Sequence, residues 1–140
     1  MSDFSIEIIT RGEKSLSCSL ESIRSQTYNS YEIVCANSSL DSSIIKILDD
    51  YSVKHLEVAA VRHLRGREMS HSISAGKYSL IMDSTRLLNP NALDLLRNYI
   101  QRYEMVAIKE GSIGTGFWAN QAKIYKDTSE KKAQTISYEL

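Results

Sequence analysis

Apolar positions follow two different periods along the chain, and the change from one period to the other predicts strands separated by helices. Short apolar runs, typical of strands covered on both faces, lie at residues 4–9, 31–36, 56–61, 78–82 and 105–108. Between them, apolar residues recur three or four positions apart, which is typical of amphipathic helices. Strands that alternate with helices indicate an α/β protein with a mostly parallel sheet and right-handed crossovers.

Helix signals support the same order of elements. Thr10-Arg11-Gly12-Glu13 has the S/T-x-x-E spacing of a capping box and predicts that the first helix opens there. The second helix is predicted at residues 41–51 and a short polar third helix at 67–74. Asn89-Pro90 predicts the start of a fourth helix, with asparagine as N-cap and proline at the first helical position.

Polar side chains lie where the predicted strands end. The carboxyl ends of parallel strands meet at one edge of the sheet, where open α/β proteins bind ligands. The predicted strands end near Thr10, Asn37, Arg62 and Asp83. A carboxylate such as Asp83 can meet a metal ion or a ribose hydroxyl at this edge, or it can simply cap the following loop. This edge is the candidate site.

Positive charge clusters at the end of the third predicted strand. Arg65 and Arg67 belong to this cluster, and arginine forks suit bidentate contacts to a diphosphate. A helix that begins near Arg67 would add backbone N–H groups to such a site. The alternative is a solvated basic loop. His71 has no second ligand at metal-binding spacing, so packing or hydrogen bonding is expected for it.

Chain length, net charge and cysteine content limit which classes of protein this chain can belong to. The 140 residues predict one domain, residues 1–140, with a polar tail at 128–140 that is expected to fray. Because 17 basic residues balance 17 acidic ones, no overall field favours nucleic acid or an anionic membrane. Neither a signal peptide nor a transmembrane run is seen, and Cys18 and Cys35 are expected to be buried free thiols. We therefore expect a cytoplasmic protein.

Four segments occur in the order and spacing of a known family: FSIEIITRGEK, SLESIRSQTYNSYEIV, ANSSLD and AGKYSLIMDSTRLLNPNALDLL. With them, roughly the first hundred residues resemble the nucleotide-binding half of family-2 glycosyltransferases of the GT-A fold. The resemblance implies a three-layer α/β/α domain that binds a UDP- or GDP-sugar. It also implies transfer of the sugar to a hydroxyl acceptor with inversion, assisted by Mn²⁺ or Mg²⁺.

The resemblance assigns roles to particular residues. It implies nucleotide contacts from one set of residues, Thr10, Arg11, Asn37, either Arg65 or Arg67, and Asp83. It also makes Asp83 the metal ligand of a D-x-D motif. That motif reads Asp83-Ser84-Thr85 here, and Arg86 can replace part of the metal's charge. A single carboxylate implies a weakened metal site.

Other positions depart from the family pattern. Ala36 and Asn37 stand where the family has an acidic pair, and only Asp41 of that motif is kept. Asparagine can hydrogen-bond a base edge but cannot ionise. The general base of the reaction is assigned to Glu110, with Asp127 as runner-up, although a solvated loop residue would look the same.

The sequence therefore leaves two hypotheses from different classes. One is a divergent glycosyltransferase whose acceptor site is completed by a second copy or a companion subunit. The other is a non-catalytic homologue that binds nucleotide or a protein partner, which the residues at positions 36, 37 and 85 favour. A receiver-like or flavodoxin-like module is disfavoured because the first strand ends in Thr10-Arg11, without acidic residues or a phosphate-binding glycine loop.

Overall fold

Strands and helices alternate through the part of the chain that the computed structural model describes, residues 2–59 and 63–108. The chain divides into two units, Met1–Arg102 and Tyr103–Leu140. The elements of the first unit are β1 (Phe4–Thr10), α1 (Leu16–Arg24), β2 (Tyr31–Asn37), α2 (Ser42–Asp50), β3 (Lys54–Glu57), α3 (His63–Ser72), β4 (Tyr78–Asp83) and α4 (Ala92–Tyr99). Residues 103–108 of the second unit form neither helix nor strand.

The four strands form one sheet in the order β3-β2-β1-β4, and every neighbouring pair is parallel. The register sets Thr10 beside Asn37, and Asn37 beside Glu57. On the other side of β1, Ile9 pairs with Asp83. The predicted parallel α/β sheet is thus confirmed, and its carboxyl edge carries Thr10, Asn37, Glu57 and Asp83.

The two faces of the sheet differ in polarity. Ile6 and Ile8 of β1 are fully buried, as are the apolar residues Leu16 and Leu20 of α1. Because side chains alternate across a strand, Glu7 points to the opposite face, the one that α3 covers. There its buried carboxylate accepts a hydrogen bond from Ser79 (2.7 Å) and lies 2.8 Å from His71 Nδ1. His71 thus makes the predicted hydrogen bond.

Gly76 marks the close approach of the α3–β4 connection to β1. A Cβ atom at this position would lie 2.5 Å from the backbone nitrogen of Ser5, so only glycine fits without a shift of backbone. The Gly76 N–H donates to Ser5 Oγ (2.8 Å), and the Ser5 hydroxyl donates to Glu32 of β2 (2.6 Å). These contacts fix β4 beside β1 at the amino end of the sheet.

Several element boundaries differ from the sequence expectation. The helix α1 begins at Leu16, not after a capping box at Thr10, because Thr10 is still paired in β1. Its N-cap residue, Ser15, makes no side-chain capping bond. The helix α4 likewise begins at Ala92, two residues after Pro90. At the start of α4, the Leu93 N–H donates to Gln26 Oε1 (3.1 Å), so a side chain from outside the helix takes the place of a local cap.

The largest differences lie around β3. The predicted third strand is formed, but its bounds were wrong, since β3 spans Lys54–Glu57 instead of 56–61 and its carboxyl end is Glu57 instead of a residue near Arg62. The strand β3 is mostly polar, so it lacks the apolar run by which the other strands were predicted. Its residues nevertheless pair in register with β2. The helix α3 begins at His63, four residues before Arg67, and the fifth strand predicted at 105–108 is not formed.

Candidate functional site

A cleft of about 220 Å³ opens at the carboxyl edge of the sheet. It lies where the strand order reverses, between β1 and β4, which is the place where open α/β sheets bind ligands. Most of the lining residues come from the carboxyl ends of these two strands and the segments that follow them. The lining residues are Ile9, Thr10, Arg11, Glu13, Ala36, Ser38, Val58, Gly66, Asp83, Ser84 and Thr85. The structure thus brings together Thr10, Arg11 and Asp83, as the sequence predicted.

The loop after β1 is held in one shape by its own side chains. Gly12 has a φ of +97°, a left-handed conformation that favours glycine. Its N–H donates to Thr10 Oγ1 (3.1 Å), and the Thr10 hydroxyl donates to Glu13 Oε2 (2.7 Å). The Arg11 N–H donates to the same carboxylate oxygen (3.0 Å). The loop therefore presents Thr10 and Arg11 to the cleft in a fixed geometry.

Glu13 also joins this loop to the segment after β4. Its Oε2 accepts a third hydrogen bond, from Ser84 Oγ (2.8 Å), across 71 residues of sequence. Burial opposes ionisation, but the hydrogen bonds from Thr10, the Arg11 N–H and Ser84 outweigh it and hold the pKa of Glu13 below its ordinary value. The sequence pattern predicted only a capping role for Glu13. Its position directly after the first strand was the one signal that it lines the site.

Hydrogen bonds from α1 and its N-cap residue hold the segment after β4. The carbonyl oxygen of Ser84 accepts hydrogen bonds from the buried Ser19 hydroxyl (2.7 Å) and from Ser15 (3.3 Å). Ser84 itself is buried, although it takes the middle place of the Asp83-Ser84-Thr85 motif. This position therefore fixes the motif to the fold and leaves its flanking residues at the cleft.

Arg67 is tied to the sheet beneath the cleft. Its guanidinium donates to Asp83 Oδ1 (2.5 Å) and to the carbonyl oxygens of Met82 (2.9 Å) and Glu7 (3.2 Å). The side chain of Arg67 is 16% exposed and that of Asp83 is 39% exposed. Since α3 begins at His63, Arg67 lies inside the helix, so the predicted helix N-terminus at this residue is wrong. Arg65 is exposed and pairs with Glu68 (2.8 Å).

Asn37 is buried at the end of β2 and is held on both sides. Its Oδ1 accepts from the Ser39 N–H (2.9 Å), and its Nδ2 donates to Glu57 Oε1 (3.0 Å). Glu57 is the carboxylate that ends β3, and no sequence pattern predicted it at this edge. A strand placed at 54–57 would have revealed it at the edge.

The residues of the cleft can hold a divalent cation only with help from a ligand. Within residues 2–59 and 63–108, no group of three His, Cys, Asp or Glu side chains could bind a metal ion. Asp83 is the carboxylate of the motif, and one of its oxygens accepts from Arg67. A Mg²⁺-like ion commonly keeps several waters and takes few protein ligands, so substrate phosphates and water can complete its shell.

A second cleft, of about 350 Å³, lies at the opposite edge of the sheet and is lined partly by Arg24, Tyr31, Tyr51 and Lys54. It is larger, but its polar groups are already used: the Tyr31 hydroxyl donates to Ile23 O and Lys54 Nζ to Ile73 O. It also lies away from the carboxyl ends of the strands. The first cleft is therefore the better site.

Several predictions fall on parts of the chain that the structure does not describe. They concern Arg62, the proposed bases Glu110 and Asp127, and the tail at 128–140. The two cysteines are described and both are free thiols, but Cys18 is exposed, which corrects the expectation that both are buried. Burial raises the pKa of Cys35 to about 12, so this thiol is unreactive near neutral pH.

Comparison with known proteins identifies the fold. No family model matches the chain, and no curated protein matches its sequence. Among solved structures, residues 1–349 of S. aureus TarS are similar with a TM-score of 0.69 and 22% identity, over 84% of this chain and 38% of that one. The same protein in complex with UDP-GlcNAc gives the same TM-score and identity, over 84% and 37%.

A second neighbour is the mannosyltransferase PcManGT from Pyrobaculum calidifontis, in complex with GDP-Man and Mn²⁺. Its TM-score is 0.60 at 17% identity, over 71% of this chain and 31% of that one. These similarities confirm the predicted α/β fold of the glycosyltransferase, GT-A-like type. The chain spans less than two fifths of the TarS 1–349 chain. None of the helices in the described part of the chain is long and apolar enough to cross a membrane.

Proposed function

We propose that this chain is the nucleotide-sugar-binding part of a glycosyltransferase that transfers a sugar from a UDP- or GDP-sugar to a hydroxyl acceptor with inversion. The observation that carries the proposal is the cleft at the β1–β4 switch point of a glycosyltransferase fold, with Thr10 and Arg11 on one wall and Asp83 on the other. The complexes of the two structural neighbours with UDP-GlcNAc and GDP-Man support the donor class. Family 2 is the family we propose.

In this proposal different residues of the cleft bind different parts of the donor. Thr10 and Arg11 contact the nucleotide from the loop after β1, and Asp83 faces the diphosphate. Arg67 holds Asp83 in place and brings positive charge close to the phosphates, which stabilises the departing diphosphate. Arg65 is a further candidate at the rim. Asn37, which is buried, acts through its neighbour Glu57 at the edge of the sheet.

A divalent cation is the proposed cofactor, and Asp83 is the residue that would hold it. When bound, Mn²⁺ or Mg²⁺ neutralises charge on the diphosphate leaving group. The site is weak because its motif offers one carboxylate, which Arg67 already contacts. We therefore expect metal affinity to depend on bound nucleotide. Glu110 stays the proposed base that deprotonates the acceptor hydroxyl, with Asp127 as the alternative.

A non-catalytic homologue is the second candidate function. The observation that favours it is the Arg67–Asp83 ion pair, which uses the motif's carboxylate inside the protein. Such a protein would bind nucleotide weakly or offer this edge of the sheet to a protein partner. Free thiols at both cysteines support a cytoplasmic location.

Calorimetric titration of the wild type and three variants with UDP, GDP and their sugar conjugates, with and without Mn²⁺, tests the proposed site. Asp83→Ala should remove the part of binding that depends on Mn²⁺, while Arg67→Lys should weaken binding with or without metal, because lysine cannot keep three forked contacts. Asp49→Ala, on the exposed side of α2, is the matched control. Equal affinities for all variants would refute the site, and absence of wild-type binding up to millimolar nucleotide would refute the donor class.

A further inference from the structure

The last residue of β3 is a carboxylate at the edge of the sheet, and no motif in the sequence predicted it. Glu57 is the last residue of β3 and lies in register with Asn37, which in turn lies in register with Thr10 of the cleft. Side chains at paired positions of neighbouring strands share a face. Thr10, Asn37 and Glu57 therefore form a row that runs from the cleft along the carboxyl edge.

The hydrogen bonds of Asn37 orient this carboxylate. Asn37 is completely buried, so its amide is not open to a ligand. Its Oδ1 is taken by the Ser39 N–H, which leaves Nδ2 directed at Glu57 Oε1, 3.0 Å away. A buried amide fixed by backbone on one side and bonded to a carboxylate on the other is a positioning device.

Glu57 itself faces solvent. Its side chain is 52% exposed, and His55 Nε2 lies 3.9 Å from Oε1, the oxygen that Asn37 also contacts. His55 Nδ1 lies 3.1 Å from the Val53 carbonyl. Within the described ranges, Glu57 Oε2 accepts no hydrogen bond. The protein thus holds one oxygen of a carboxylate whose side chain is half exposed to solvent.

Sugar hydroxyls are the ligand chemistry that suits such a group. An ionised carboxylate only accepts hydrogen bonds, and nucleotide-binding α/β folds use an acidic residue near a strand end to bind a ribose hydroxyl. A phosphate group does not suit this position, because it carries a negative charge, as the Glu57 carboxylate does. At about 4.8 Å per strand, β3 lies roughly 14 Å from β4 along the sheet, which suits a nucleotide whose diphosphate lies near Asp83 and whose ribose lies towards β3.

We propose that Glu57, positioned by Asn37, is the carboxylate that recognises the ribose 2′-hydroxyl of the donor nucleotide. This inference rests on the proposed function, since it assigns the nucleoside end of the same site. Glu57 is the specificity-determining residue, and Asn37 acts through it without touching the ligand. The donor then lies across the edge with its ribose towards β3 and its diphosphate towards β4.

The test compares ribose and deoxyribose forms of one nucleotide, UDP or GDP, whichever the wild type binds. A hydrogen bond to an ionised group contributes enough that its loss weakens binding about tenfold. We therefore expect Glu57→Gln to weaken binding of the ribonucleotide about tenfold and to leave binding of its 2′-deoxy form within about twofold. Asn37→Ala should weaken the ribonucleotide similarly and add little in the double variant. Glu21→Gln, an exposed glutamate of α1, is the control.

Each outcome separates this inference from the function on which it rests. If the wild type binds neither UDP nor GDP, the proposed function fails and the inference fails with it. If the wild type binds but Glu57→Gln is unchanged, only the inference is overturned. Equal weakening of the ribose and deoxyribose forms also overturns it, since a general structural role would affect both. Thermal unfolding of each variant verifies folding, and the exposed Glu57 keeps the test independent of the buried Asn37.

Discussion

Single residues at the carboxyl edge fix the backbone that surrounds the cleft. Gly12 adopts the left-handed conformation that brings Thr10 and Arg11 to the cleft. Ser39 lies so close to Gly12 that a Cβ atom would not fit there without a shift. Glu13 joins this turn to the segment after β4. Asn37 and Glu57 form the matching pair at the other end of the edge. Substitutions here should affect both stability and binding.

Gly12→Ala is expected to destabilise the protein by about 1–3 kcal/mol, the range for strained backbone. The added Cβ would lie 2.7 Å from Ser39 Oγ, and alanine disfavours a φ of +97°. Urea unfolding of this variant beside Lys14→Ala, an exposed neighbour in the same loop, measures the effect. Equal stability of the two variants would show that the turn does not need glycine.

Glu13 should make stability depend on pH. Because hydrogen bonds hold its pKa in the folded state below the ordinary value of 4.5, its ionised form stabilises the fold above that value. This contribution is lost as the pH falls through the lowered pKa. Unfolding curves from pH 7 to pH 3 should therefore show a stability difference between wild type and Glu13→Gln that shrinks on acidification. A constant difference would contradict the account.

Asn37→Asp should weaken the fold at pH 7, although it restores an acidic residue typical of the resembled family. The new carboxylate would face Glu57 Oε1, which now accepts from Asn37 Nδ2 at 3.0 Å. Two ionised carboxylates at this distance repel each other, so one must take up a proton. Thermal unfolding should show a deficit at pH 7 that lessens near pH 5. A variant as stable as wild type at pH 7 would contradict this pairing.

At the scale of elements, α1 and α3 hold the β4 side of the cleft from opposite faces of the sheet. The hydroxyl of Ser19 in α1 supports the Ser84 carbonyl, and Arg67 in α3 contacts Asp83 and two strand carbonyls. The site therefore depends on helix docking and not on loop sequence alone.

Ser19→Ala should loosen the segment after β4. The substitution removes a buried hydrogen bond to Ser84 O, which costs about 1 kcal/mol of stability. It should also weaken nucleotide binding a few-fold without changing any residue that lines the cleft. Ser17→Ala, on the same helix, is the matched control. If both variants bind and unfold alike, α1 does not anchor the motif.

Sequence patterns predicted the elements better than their ends. The apolar runs of β1, β2 and β4 located these strands within about a residue, because buried parallel strands carry a clear hydrophobic signal. The polar β3 and α3 carry little such signal, so both were misplaced. Glu13 and Glu57 were missed because their partners, Ser84 and Asn37, lie 71 and 20 residues away.

At the scale of the whole molecule, the strand order decides where a ligand can bind. The reversal between β1 and β4 leaves an opening that helices cannot close. Resemblance in four sequence segments predicted the glycosyltransferase fold that the structural neighbours confirm. Donor binding and transfer remain the proposals that this architecture supports, with the nucleotide lying along the edge from β3 to β4.

An NMR titration of ¹⁵N-labelled protein with UDP, and then with GDP, tests this central claim most directly. The account predicts that one nucleotide shifts backbone amides in the loop after β1, including Arg11 and Gly12, and in the segment after β4, including Ser84 and Thr85. Ser38 and Val58, at the β2 and β3 ends, should shift with them. Absence of shifts up to millimolar nucleotide, or shifts confined to the opposite cleft around Tyr31 and Tyr51, would contradict the account.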